Sequence, residues 1–285
     1  MRRAAASGPI VVINMSVYSC DAIIIKTDEI KRMPLPVILS DIEAMTRPVP
    51  NIYSVENDVL EWLWDKITGP VLDTLGFTDC PPDDSYSSWP RVWWVLTGSL
   101  ARLPLHAAGY HGVKGSETAM DCVISSYSVS ITTLVQAHDS HSKHGHSKHA
   151  DCRLEKAVLI GMTELTNAPE EVRRVASICQ SMQVKMPEPH ATDVLEALKD
   201  CDIFHFAGHG SSNSFDPSRS AMKLANTDLT VSSLLNINLH KIRPFLAFLS
   251  ACSTGQVKED FLMDEGLHLI GAFQVAGFWH VIGTL

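Results

Sequence analysis

Asp202-Ile203-Phe204-His205-Phe206-Ala207-Gly208-His209-Gly210 and Leu249-Ser250-Ala251-Cys252-Ser253-Thr254-Gly255 decide how this chain of 285 residues folds. Each is an apolar run of strand length that ends in a turn of small residues. Neither run alternates apolar with polar residues, so both read as strands covered on two faces, as in a parallel sheet. Sites in open α/β sheets gather at the carboxyl ends of such strands. One of these ends delivers His209 between two glycines, and the other delivers Cys252 into a small-residue turn.

Outward from these strands the second half keeps an α/β alternation. Ala157 to Gly161 reads as a strand ending on glycine. Asn167 reads as the cap of a helix through about Gln180, with Pro169 in its first turn. Thr192 to Cys201 reads as a short helix, Pro244 to Leu249 as a strand, and Asp264 as the cap of a helix through Gly277. Phe278 to Ile282 is a last strand. Strands joined through helices imply right-handed crossovers and a mostly parallel sheet flanked by helices.

The first half is a further α/β segment. Pro9 to Ile13 and Ala22 to Ile25 are β-branched runs whose unbroken apolarity again suggests parallel strands buried on both faces. Lys31 to Pro50 holds four prolines and reads as a surface loop. Val55, Val59, Trp62, Leu63 and Ile67 recur at helical spacing until Gly69-Pro70 interrupts them, and a second helical piece ends near Gly76. Val92 to Leu96 is a strand whose tryptophans read as core. His138 to His149 separates the halves, giving a division into 1–137, 138–150 and 151–285. Its five histidines raise the alternative of a metal site, but Ser, Gly and Lys interleave and the spacing lacks an i, i+4 pair, so it reads as a solvated loop.

Composition excludes other classes. Hydrophobic residues make up 45% and charged residues 19%, which is incompatible with wholesale disorder. A formal net charge of −9 leaves no general basic footprint for nucleic acid. No apolar run reaches membrane-spanning length. Seven scattered cysteines without a CxxC pair fit neither a disulfide framework nor a zinc ribbon, which points to a reduced, cytoplasmic setting. The Arg2-Arg3 start resembles a signal peptide, but Ile10 to Ile13 is too short for its apolar core.

The two strand ends suit nucleophilic chemistry. A thiol of pKa about 8.5 needs a neighbouring imidazole to form thiolate near neutrality. The same imidazole can protonate an amine leaving group. A tetrahedral oxyanion needs donors, for which the backbone amides of Gly210 and Cys252 are the candidates. His205 is a rival base, since alternation puts it on the side of His209, but its place inside the strand reads as a core histidine. Asp264 and Glu265 are weak candidates for a pocket that takes a basic side chain, with helix capping as the alternative.

These motifs resemble the CHAT domain family, which belongs with caspases and separase. The resemblance extends to Thr97 through Gly109, to Asp264 through Leu269 and to Ala276 through Leu285, and the opening Gly8 to Asn14 resembles fungal members. It implies a caspase-like fold over 1–285 with His209 as base and Cys252 as nucleophile of a cysteine endopeptidase. It also implies protein substrates, no cofactor or metal, and helical-repeat regulatory domains or partners. No helical repeat of about 34 residues is present, and the chain stops where the family continues, which suggests C-terminal truncation. The competing reading is a catalytically silent CHAT module serving protein interaction or signalling.

Overall fold

The computed structural model describes residues 1–46, 57–78, 89–112, 117–136, 154–211, 213, 216–252 and 269–283, with the backbone alone described at Thr46, Arg102 and Cys252. The chain divides into two compact units, Met1–Asp139 and Ser140–Leu285. The His138 to His149 run lies outside the described residues. No helix among the described residues is long and apolar enough to cross a membrane.

The first unit holds a mixed sheet of β1 (Ile10–Met15), β2 (Cys20–Ile25), β3 (Ile30–Pro34), β4 (Arg91–Leu96) and β5 (Ile124–Tyr127), in the order β3-β2-β1-β4-β5. The apolar runs read as parallel strands are an antiparallel hairpin, with Ile10 opposite Ile25 and Met15 opposite Cys20. Their unbroken apolarity has another cause. Val11, Ile13, Ala22 and Ile24 enter one core cluster, while Ile10 and Ile25 enter a second on the opposite face. Burial on both faces erases alternation whatever the strand direction. Only β1–β4 and β4–β5 are parallel here.

Two loop readings are also corrected. Lys31 to Pro50 contains most of β3 and the helix α1 (Leu39–Thr46). β3 is an edge strand with largely exposed residues, so hydrophobic patterning is absent and Pro34 is tolerated at its end. Gly69-Pro70 does not interrupt the helix. α2 (Asn57–Leu63) passes through a π-helical turn, Trp64–Thr68, into α3 (Gly69–Leu75). Pro70 sits in the first turn of α3, a position that suits its fixed φ. Gly76, at φ 74, ends the run in the left-handed region. Trp94 is fully buried and its indole N–H donates to Ser125 Oγ at 3.1 Å, while α4 (Ala119–Cys122) is capped by Thr118.

The second unit is built on β6 (Lys156–Gly161), β7 (Gln183–Lys185), β8 (Ile203–Ser211), β11 (Leu246–Cys252) and β12 (His280–Gly283), all parallel to their neighbours in the order β7-β6-β8-β11-β12. Two short strands, β9 (Ala221–Met222) and β10 (Leu229–Thr230), add antiparallel pairing to the far end of β8. The helices are α5 (Ala168–Ile178), α6 (Ala191–Leu198), α7 (Val231–Asn236) and α8 (Leu269–Ala276). α5 begins where the Asn-Ala-Pro signal put it, yet Asn167 makes no side-chain cap and its own backbone is already helical.

Alternation along the central strands sends Phe204, Phe206, Ala247 and Leu249 to one core, with Val194, Leu198, Leu234 and Phe273 from the helices. Phe204 stacks on Phe273 with ring centroids 5.5 Å apart. Full burial of each phenyl ring stabilises the fold by about 1.5–3 kcal/mol. On the other face, Ala157, Leu159 and Ala207 pack with Val172 and Cys179. Mixed α/β layering of two sheets with flanking helices agrees with a caspase-like α/β fold.

Candidate active site

Asp202 aligns the strands that carry the site. Its carboxylate accepts from the amides of Glu155 (2.8 Å) and Lys156 (2.9 Å) at the start of β6. Its carbonyl accepts from the amides of Phe245 (2.7 Å) and Leu246 (3.1 Å) at the start of β11. One residue at the entrance of β8 therefore ties both neighbouring strands to it. From that anchor β8 and β11 run in step: Leu246 pairs with Ile203, Phe248 with His205, Ser250 with Ala207 and Cys252 with His209. Adjacent strands lie about 4.8 Å apart, and register partners of a parallel pair share a face. Positions 209 and 252 are thus brought side by side on the same face at the strand ends.

The two glycines beside His209 have different work. A Cβ at Gly208 would lie 2.4 Å from Phe206 Cζ and 2.7 Å from Met162 Cγ, so the residue is dictated by packing. Gly210 faces Met222 across the antiparallel pairing, and the Lys223 amide donates to the His209 carbonyl at 2.8 Å. The backbone polar groups of His209 therefore turn toward β9, and strand alternation turns those of Gly210 the other way, toward β11. The side chain of His209 is exposed.

His205 lies four residues earlier on the same face and is 2% exposed. Its ring tilts against Phe248, centroids 5.4 Å apart. Its Nε2 stands 3.2 Å from Glu171 Oε1 on α5, near enough for electrostatic pairing, although it lacks the alignment of a hydrogen bond. Burial pushes the imidazole pKa down, against the opposing pull of Glu171. The structure thus separates the two histidines, one sealed within the strand and one open at its end.

Beyond Gly210 the chain is held by its own polar side chains. The Asn213 amide donates to Ser220 Oγ (2.9 Å), the Asp216 amide to Asn213 Oδ1 (2.9 Å), and the Ser218 hydroxyl to Asp216 Oδ1 (2.5 Å). These contacts among the described residues after the histidine were missed in the sequence, where Ser, Asn, Asp and Pro content was the available signal. Nothing in the spacing of Glu171 along the chain points to His205.

Among the described residues, Cys20, Cys122, Cys179 and Cys201 are buried. Burial first, and then the charges of Asp202 and Asp200, push Cys201 up to about 12. Burial likewise raises Cys179 and Cys20. Asp264 and Glu265 lie outside the described residues. Among the described residues no group of three or more His, Cys, Asp or Glu is placed to hold a metal ion.

A family model for the CHAT domain matches residues 57–285. No curated protein matches the chain.

Proposed function

Because the chain belongs to the CHAT domain family, a caspase-like, peptidase-related family, we propose that its second unit is the catalytic unit of a cysteine endopeptidase acting on protein substrates. The observation that carries this reading is the in-register pairing of His209 with Cys252 at the carboxyl ends of β8 and β11. His209 takes the thiol proton of Cys252, and the thiolate attacks the scissile carbonyl carbon. The carbonyl π-electrons move onto oxygen, where the amides of Gly210 and Cys252 donate to the oxyanion. Collapse expels the amine, which takes its proton from His209, and leaves a thioester. Water, deprotonated by His209, then hydrolyses the thioester and restores the thiol. Asp264 and Glu265 are proposed as carboxylates that favour a basic residue before the scissile bond.

The test is turnover of a mixed library of fluorogenic peptides by the full chain, with Cys252→Ala and His209→Ala as partners. Each variant should lose at least about a thousandfold in kcat/KM, the scale on which members of a nucleophile–base pair act together. The melting temperature should stay near the parent's. Peptide hydrolysis that survives in both variants would overturn the proposal. Selective labelling of Cys252 by a peptide electrophile without turnover would mean an incomplete enzyme, whereas labelling spread equally over all accessible thiols would favour the silent module.

A further inference from the structure

Away from the strand ends, the first unit holds a cavity of about 730 Å3 that the proposed hydrolysis does not use. This is the volume range of ligand pockets. Two half-buried aromatic rings, Trp64 and Phe77, line it together with four carboxylates, those of Asp65, Asp73, Glu117 and Asp121. Among the described residues no Lys, Arg or His lines it. Among the described residues no basic side chain pairs with Asp65, Asp73 or Glu117.

The backbone contributes to this wall. The Gly69 amide donates to the Trp64 carbonyl, closing the wide turn of a π-helix. π-Turns are rare and concentrate at functional sites. A Cβ at Gly69 would stand 2.8 Å from that carbonyl and 3.5 Å from Trp64 Cε2 and Nε1, so glycine lets the indole lie against the helix. Tyr110 reports the local field independently. Its hydroxyl donates to Asp65 Oδ1 at 2.9 Å. That bond, then burial, then the charges of Asp65, Glu61 and Glu117 push the phenol pKa up.

We propose that this cavity binds an arginine side chain presented by a segment of a protein partner. A guanidinium pairs with carboxylates through a planar fork and stacks on an indole face, so one group answers both kinds of wall. The Trp64 Nε1–H and the Thr78 hydroxyl make no hydrogen bond among the described residues and remain as donors to peptide carbonyls, which a simple polyamine lacks. Attraction of this kind is exposed to solvent and therefore screened by salt.

The probe is acetyl-Ala-Arg-Ala-Arg-amide, titrated calorimetrically into the full chain, beside its citrulline counterpart and spermidine. The arginine peptide should bind, weaken at least about threefold between 50 and 300 mM NaCl, and exceed the citrulline peptide at least about tenfold. The double variant Asp73→Asn with Glu117→Gln should lose at least about tenfold in affinity while melting no lower than the parent, since it removes unpaired like charges. Trp64→Leu should lose a further severalfold. Equal binding of the citrulline peptide overturns the proposal, as does spermidine binding that the arginine peptide does not displace. The citrulline comparison decides the matter on the parent chain if a variant fails to fold.

Discussion

Each unit contains a central parallel pair of strands: β1 with β4 in one, β8 with β11 in the other. The two ends are put to opposite uses. At the first, Thr97 closes the structure: its hydroxyl donates to the Ile13 carbonyl and accepts from the Met15 amide, both at 3.1 Å. The chain then returns as the β1–β2 hairpin, and the exposed backbone groups are spent on the fold. At the second, β9 takes only one side of the terminal residues of β8, and an imidazole stands exposed beside position 252. The same sheet geometry thus gives a closed structural corner when a threonine hydroxyl fills it. It leaves an open one where His209 and Cys252 are register partners.

The sharpest way to break this contrast is thiol chemistry. Under iodoacetamide at pH 7.5, with peptide mapping by mass, Cys252 should label at least about tenfold faster than Cys20, Cys122, Cys179 or Cys201, all four of which are buried. Cys201, held near 12, should be the slowest. Equal labelling of all five would show that the open corner is no more reactive than the rest.

Stability separates the corners on a smaller scale. Gly208→Ala forces a methyl group into the space of Phe206 and Met162 and should cost about 1–3 kcal/mol. Thr97→Val strands the Met15 amide and should cost about 1–2 kcal/mol. Urea denaturation measures both, and Thr97→Val should leave Cys252 labelling unchanged. A change in labelling from that variant would mean that the first corner also serves the reactive site.

The smallest effect concerns pH. The folded-state pKa of His205 lies below its unfolded value, so the unfolded chain binds the proton more readily. Its contribution is full above about pH 6.5, the unfolded value, and is lost as the pH falls below it. His205→Gln should flatten the acid side of a melting-temperature profile, and an unchanged slope would assign the acid sensitivity elsewhere.

Legibility in the sequence followed the same division. β8 and β11 could be read because each is a long apolar run with a sharp end, and their pairing follows from one crossover. The β1–β2 hairpin was misread as parallel because residues buried on both faces carry no mark of direction. β3 disappeared because an exposed edge strand needs no apolar pattern, and the Gly69-Pro70 break failed because proline loses little in a first helical turn. At the site, His209 and Cys252 announced themselves through their small neighbours. The packing role of Gly208, the Asp202 clamp and the Glu171 partner of His205 arise from tertiary contacts that spacing along the chain does not encode.

The clamp at Asp202 has a kinetic consequence. Positions 209 and 252 meet only when β11 has crossed over and docked on β8, and such distant pairings form late because loop closure precedes any compensating contact. Until then the thiol at 252 has no imidazole neighbour from β8. If the proposed mechanism holds, a nascent or partly unfolded chain is spared that chemistry, which requires β11 to have docked on β8.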